Sequence, residues 1–572
     1  MIDIHAKESN GPSIAHLRAA LAESMEDELL ADAPAAALLP DVEPRPEAPA
    51  FVEVEGPTQF SQSRLWEWQR SFFHDMGADA WSEGIVPHYI TSSSYICKCY
   101  ASVVFGHLRD LHRKGVDGPV YLVELGAGSG QFAFHFLRHL SALMQGSVMQ
   151  DALNWVYVMT DFTQSNLDFW QQHASLQPYV QDGVLDWALF DCTASTSIEL
   201  QVSGQSLQAN TEGPNMVAIA NYLFDTIPQD LFWMDQGQLY ECRVALRLPE
   251  GSNENDADAI ANVQLRYDKS AVRADYYQHS TLDAILAEYA STLNQSAVLF
   301  PHQGLQCIER LQALSGGKLM LLTGDKGYVL EEELQHRPLP GITRHGSFSM
   351  TVNYHAMKRF AELDGGAMLH TLDPHNSINV CCMLPDDAAS WPETRQAFAN
   401  SIEAFGPDQQ FVLKKAIERN YAGLSPGEVL SYIQLSGYDP KAFRRGIASM
   451  RSQLPEFTEQ LKQQLEVTVL RMWDNYYPLG EEVDLAFLTG VLLYELDLCD
   501  RAIELFQHSL RLYGQNAGTH CNLAMCWFQL GHYDRASEHL NTTLQLEPGH
   551  RAALELKRRI PAGPVMAEKS LA

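Results

Sequence analysis

The residues best placed to do chemistry fall in one stretch, YLVELGAGSGQFAFHFL. There an apolar run ends in Glu124 and turns through Gly126, Ala127, Gly128 and Gly130 into a second apolar run. Glycines at that spacing permit a tight turn and let a ligand come close to backbone N–H groups. A dinucleotide-binding loop would carry its third glycine at position 131, which is Gln131. It would also carry a ribose-binding acid about 20 residues further on, and the next acid at the end of an apolar run, Asp161, lies well beyond that. A phosphate-binding P-loop is excluded because no Gly-Lys-Ser/Thr follows. His135 and His139 stand four apart on the expected helix after the loop, but without a third ligand they predict packing or surface residues and no metal site.

Such a loop needs a buried strand before it and a helix after it. Short β-type runs at residues 119–125, 155–160, 184–190, 216–221 and 318–323 alternate with helical stretches. Near-continuous apolar strands between helices predict an α/β fold, Rossmann-like, with a mostly parallel sheet covered on both faces. Between the fourth and fifth runs the string LFWMD-QG-QLYECRVALRL reads as a hairpin, and Thr281 to Leu314 as helices. Residues 230–315 are therefore expected to be an insertion that shapes specificity. The order of strand, GxGxG loop with a preceding acid, helix and next strand resembles motif I of class I S-adenosylmethionine (SAM) methyltransferases. That resemblance implies SAM as cofactor, with Glu124, Gly126, Ala127, Gly128 and Gly130 lining its loop. Asp161, ending VYVMTDF, would accept the ribose hydroxyls, or else cap the helix that follows. Asp191, in ALFDC, would hold the adenine amino group, or else serve a turn.

At the fourth run the sequence reads AIANYLFDTIPQDLF. This resembles the MidA-like family of SAM-dependent methyltransferases, which includes a mitochondrial enzyme of respiratory complex I assembly and whose motif there is close to Asn-Glu-x-x-Asp-x-[Leu/Ile]-Pro. PHYITSSSYICKCYASVVFGHL, QLYECRV and FSMTVNYHAMKRFAELDGG add weaker matches in the expected order, so the similarity spans roughly residues 80–380. The resemblance implies protein methylation, arginine in particular, with Asn221 and Asp225 facing the acceptor. Two departures stand out. The family's Glu beside Asn221 is Tyr222, and its Asp-Tyr-Gly after the fifth run reads Gly324-Asp325-Lys326-Gly327. An arginine acceptor needs carboxylates to orient its guanidinium, so losing that Glu weakens the arginine reading. Tyr222 reads equally as a packing residue or as a ring near the sulfonium, and Asn221 and Asp225 as acceptor-binding groups, Asp225 as a base, or as turn formers.

The remaining features bound the setting. With 572 residues, 46% of them hydrophobic, the chain holds enough apolar material for more than one core. A net charge of −31 opposes binding to nucleic acid or an anionic membrane, and the only basic cluster, Lys557 to Arg559, suits a helix C-terminus. No apolar run is long enough to span a bilayer and the first residues lack a signal-peptide pattern, so a cytoplasmic protein is expected. The ten cysteines form no CxxC pair and read as reduced, mostly buried thiols.

Residues 1–57 read as an acidic Ala/Pro-rich disordered tail, 58–405 as the methyltransferase domain, 406–562 as a helical domain and 563–572 as a second tail. The segment from Gln59 to Trp81 reads as a helical cap on the methyltransferase domain. A 34-residue offset aligns Gly490 with Ala524, Ala502 with Ala536 and Phe506 with Leu540, which are the small and large positions of tetratricopeptide (TPR) repeats at 483–516 and 517–550. Three functions follow: a protein methyltransferase whose TPR groove recruits its substrate or partner; a SAM-binding scaffold with little catalysis; or a small-molecule methyltransferase whose TPR makes a homodimer or carrier contact.

Overall fold

A computed structural model describes residues 50–560 except 78–79, 81–88, 151, 253–258, 346 and 373–376. Of the described residues, those from 50 to 415 make one compact unit and those from 416 a second. In chain order the first unit begins with β1 (Phe51–Gln59), α1 (Arg64–Met76), α2 (Ser94–Arg113), β2 (Val120–Leu125), α3 (Gln131–Gln145), β3 (Trp155–Asp161), α4 (Gln164–Gln172), β4 (Leu185–Leu189) and β5 (Asn215–Asn221). It continues with β6 (Asp230–Asp235), β7 (Gln238–Pro249), β8 (Gln264–Val272), α5 (Ser280–Thr292), β9 (Ser296–Phe300), α6 (His302–Leu314), β10 (Leu319–Asp325), α7 (Tyr354–Leu363), β11 (Ala367–Leu369) and β12 (Asn379–Leu384).

The central sheet runs in the order β11-β12-β10-β5-β2-β3-β4. The neighbours from β10 to β4 are parallel, whereas β12 is antiparallel to both β10 and β11. β2 and β10 are buried at every position, because helices must cover both faces of a parallel sheet, and that is why their sequences are unbroken apolar runs. A second, wholly antiparallel sheet joins β1, β7, β6 and β9 in that order, with β8 also on β7. The domain is therefore mixed α/β: the expectation of a mostly parallel sheet holds for the centre alone. The β6–β7 hairpin turns through Gln236 and Gly237 at φ 49° and 79°, the left-handed pair that a tight hairpin requires.

Several expectations need correction. Residues 51–57 belong to β1 and not to a tail, since β1 pairs with β7 from Phe51 opposite Pro249 to Gln59 opposite Arg243. The rest of that tail and residues 563–572 lie outside the described residues. The segment from Thr281 to Leu314 is interrupted by β9, and β11 and β12 were not anticipated; all three are short, without the alternation that marks a strand exposed on one face. The helix expected through Trp81 stops at Met76, where Gly77 takes φ 51°; Trp81 itself lies outside the described residues.

Every regular element of the second unit is helical. The helices are α8 (Pro426–Leu435), α9 (Pro440–Ser452), α10 (Glu459–Asp474), α11 (Leu485–Glu495), α12 (Cys499–Tyr513), α13 (Ala517–Gln529), α14 (Tyr533–Leu546) and α15 (Arg551–Arg559). The 34-residue offset has a steric basis: a Cβ on Gly490 of α11 would lie 2.7 Å from the Phe506 ring of α12, so the crossing tolerates only the smallest side chain. Ala502, Phe506, Ala536 and Leu540 are all fully buried. Lys557, Arg558 and Arg559 occupy the last turn of α15, where cations complement the helix dipole. No described helix is long and apolar enough to cross a membrane.

Candidate functional site

The glycine loop leaves the C-terminal end of β2, the position where open α/β sheets bind ligands. Gly126, Gly128 and Gly130 all have positive φ, at 67°, 52° and 77°, a conformation that costs other residues about 1–2 kcal/mol each. The loop is pinned on both sides of Gly128. Its N–H donates to Asp161 Oδ2 at 3.1 Å, and its carbonyl accepts from Trp170 Nε1 at 2.8 Å. Gly130 precedes α3 without a side-chain cap, so the first N–H groups of that helix lack both a partner within it and a capping side chain.

Two acids back the loop. Glu124 is buried and accepts from the Tyr157 hydroxyl at 2.9 Å. Burial lifts its pKa to about 8, with the Tyr157 bond opposing and the Asp161 charge adding. Asp161 is not the cap of α4, whose N-cap position is Thr163: its Oδ1 accepts from Thr163 N at 3.0 Å and Thr163 Oγ1 at 2.9 Å, while Oδ2 holds the loop. Burial raises its pKa against those bonds. Oδ1 thus already accepts two hydrogen bonds, and the Asn166 side chain adds a further one to the carboxylate. Asp191, beyond β4, is more exposed. Oδ1 accepts from Thr193 N at 2.9 Å and Thr193 Oγ1 at 2.6 Å, and Oδ2 pairs with Arg70 Nη2 at 2.7 Å. Burial works to raise its pKa, but the bonds from Thr193 and Arg70 outweigh it and the net shift is downward.

The residues expected to face the acceptor, Asn221, Tyr222 and Asp225, lie at or just beyond the adjoining end of β5. A Cβ on Gly126 would meet Leu223 Cδ1 at 3.2 Å, so the loop and the NYLFD turn are in direct contact. Asn221 Oδ1 accepts from the Tyr100 hydroxyl of α2 at 2.7 Å. The pair leaves no room beside it: a Cβ on Gly324 would lie 2.6 Å from that hydroxyl. Tyr222 adopts φ 49°, unusual for a bulky residue, and its N–H donates to Gly324 O at 3.0 Å. Burial, then Asp325, Asp225 and Asp408, push its pKa up, so the hydroxyl stays protonated.

The sequence undervalued Asp325. The backbone N–H of Asp225 donates to Asp325 Oδ2 at 3.3 Å, and the charge of the Asp225 carboxyl acts on that of Asp325. Asp225 is 7% exposed, Asp325 not at all, and Asp225 Oδ1 has no hydrogen-bond partner. Two neighbouring carboxyls this dry disfavour carrying two negative charges at once. Burial raises both: Asp225 to about 7, with bonds from Asp325 and Ser349 opposing, and Asp325 well above its usual range, with the Asp225 charge adding. The available signal was an acid ending the fifth apolar run, as Asp161 ends the second. Arg70 and Tyr100 gave no such signal.

His135 is buried with both ring nitrogens unpartnered, and His139 Nε2 lies 3.0 Å from Ser94 Oγ, so both are packing residues. Among the described residues no group of three or more His, Cys, Asp or Glu is placed to hold a metal ion. All ten cysteines are free thiols, Cys192 alone being only partly buried.

Replacing Tyr100 with Phe removes the donor to Asn221 and little else. The expected outcome is a stability loss of about 1 kcal/mol in urea unfolding, together with slower turnover from a freed Asn221.

Residues 107–353 match the model of a family described as "Putative S-adenosyl-L-methionine-dependent methyltransferase", and residues 499–560 match a tetratricopeptide repeat. A comparison with curated proteins finds no match. Among solved structures, an uncharacterized protein from Burkholderia thailandensis aligns at 12% identity and TM-score 0.36, over 68% of this chain and 97% of its own. A second Burkholderia thailandensis protein of the same superfamily, bound to S-adenosyl-homocysteine, aligns at 13% identity and TM-score 0.36, over 59% of this chain and 96% of its own. Residues 107–353, within a mixed α/β domain, are thus similar to a family of SAM-dependent methyltransferases, a match that points to S-adenosyl-L-methionine as cofactor, and residues 499–560 are similar to TPR helices.

Proposed function

We propose that this chain is a cytoplasmic methyltransferase with a Rossmann-like core of the MidA-like kind, which methylates a protein recruited by its TPR helices. The observation that carries the reading is the buried Asp225–Asp325 pair, set against a glycine loop of the cofactor-binding type. Bound SAM supplies a sulfonium-activated methyl group. Gly126, Ala127, Gly128 and Gly130 offer it backbone groups, and Glu124, Asp161 and Asp191 are the acids at its edge. With its pKa near 7, Asp225 is poised to take a proton from the acceptor, and Asp325, protonated, steadies it by donating a hydrogen bond. Asn221, oriented by Tyr100, holds the acceptor in line. Asp325 also supplies a second carboxyl near the acceptor position, which offsets the family Glu replaced by Tyr222.

The same replacement favours a rival, a SAM-binding scaffold with little turnover. The test is transfer of labelled methyl groups from SAM into fractionated lysate of the native host. Label in a discrete protein band, present with wild type and absent with Asp225→Ala, supports the proposal. Label confined to small molecules points to a small-molecule methyltransferase, and no transfer despite cofactor binding points to the scaffold.

A further inference from the structure

Resting on that reading of the cofactor site, we propose that Arg70 of α1 is a positioning residue for the adenosine end of the cofactor. α1 is fastened to its surroundings independently of Arg70. Gln69 Nε2 donates to Phe348 O at 2.6 Å, Trp66 Nε1 to Phe60 O at 2.8 Å, and a Cβ on Gly77 would lie 2.9 Å from Ser165 Oγ at the start of α4. From this anchored helix the Arg70 guanidinium reaches two groups that follow neighbouring strands. Its central carbon lies 4.4 Å from the centroid of the Phe162 ring, and Nη2 lies 2.7 Å from Asp191 Oδ2. Asp161 and Leu189 are cross-strand partners, so Phe162 and Asp191 leave the sheet side by side at its ligand-binding edge.

A surface ion pair alone would carry little weight, since exposed pairs contribute about 0–1 kcal/mol. Three features set this one apart. The carboxylate is already fixed by two bonds from Thr193, the guanidinium lies over an aromatic ring, and that ring, Phe162, directly follows Asp161, which secures the glycine loop. A planar cation, an aromatic face and an oriented carboxylate together suit a purine, which offers π faces for stacking and an exocyclic amine to an acceptor. No other cation is paired with Asp191 among the described residues.

The test is calorimetric titration of S-adenosyl-homocysteine, and separately of adenosine, into the full chain as wild type, Arg70→Ala, Arg70→Gln and Arg70→Lys, each with its melting temperature. Arg70→Ala and Arg70→Gln are expected to weaken both ligands by about tenfold without lowering the melting temperature. Arg70→Lys keeps the charge but not the plane and is expected to recover only part. Equal binding by wild type and the two neutral variants would overturn the inference alone. Should Arg70→Ala unfold, Arg70→Gln, closer in size, decides. A wild-type chain that binds neither ligand would instead overturn the reading of the cofactor site and this inference with it.

Discussion

Asp225→Asn is expected to cut turnover by about 10²–10⁴-fold while making the protein more stable above pH 7. The two effects come from the same burial. In the unfolded chain a carboxyl loses its proton near pH 4, whereas in the folded protein Asp225 keeps it to about pH 7 and Asp325 keeps it longer. Between those limits the folded state binds more protons than the unfolded one, so wild-type stability falls as pH rises. The uncharged amide introduced by Asp225→Asn removes that penalty on the pair. The gain over wild type should be small near pH 4, grow through pH 7 and level off on the order of 4 kcal/mol. Thermal melts from pH 5 to 8.5 read the stability arm, and labelled-methyl turnover reads the other. A variant that melts below wild type at pH 8 would mean that the carboxyl serves structure and is not a strained, functional group.

The second large effect is expected from Gly128→Arg. At φ 52° any side chain adds backbone strain of roughly 1–2 kcal/mol. The loop cannot relax, because the N–H of Gly128 is tied to Asp161 and its carbonyl to Trp170. The domain should still fold, since a loss of that size is small against the usual 5–15 kcal/mol of a native protein. The guanidinium then stands on the surface that must receive the cofactor. The variant should show no thermal stabilisation by S-adenosyl-homocysteine, and methyl transfer at background. Stabilisation equal to wild type would remove this loop from the cofactor site.

The parts of this arrangement written in contiguous residues were open to sequence reasoning. The loop needs only Glu124 to Gly130, the hairpin is marked by Gln236-Gly237, and the TPR period shows in Gly490, crowded by the Phe506 ring, and in the buried Ala524 one 34-residue offset later. What escaped depends on residues far apart in the chain. Asp325 gains its meaning from Asp225, 100 positions earlier, Arg70 from Asp191, 121 positions later, and Asn221 is oriented by Tyr100 across a similar gap. β1 escaped for a different reason: its acidic, alternating sequence, FVEVEGPTQ, resembles the tail before it, and only pairing with β7 orders it.

The central claim is that the Gly126–Gly130 loop and the acids around it form a cofactor site. It is tested most directly by calorimetric titration of S-adenosyl-homocysteine into the purified wild-type chain. Saturable binding at one site per chain, competed by SAM, is the predicted result. An absence of heat and of competition, with the protein shown to be folded, would contradict the account.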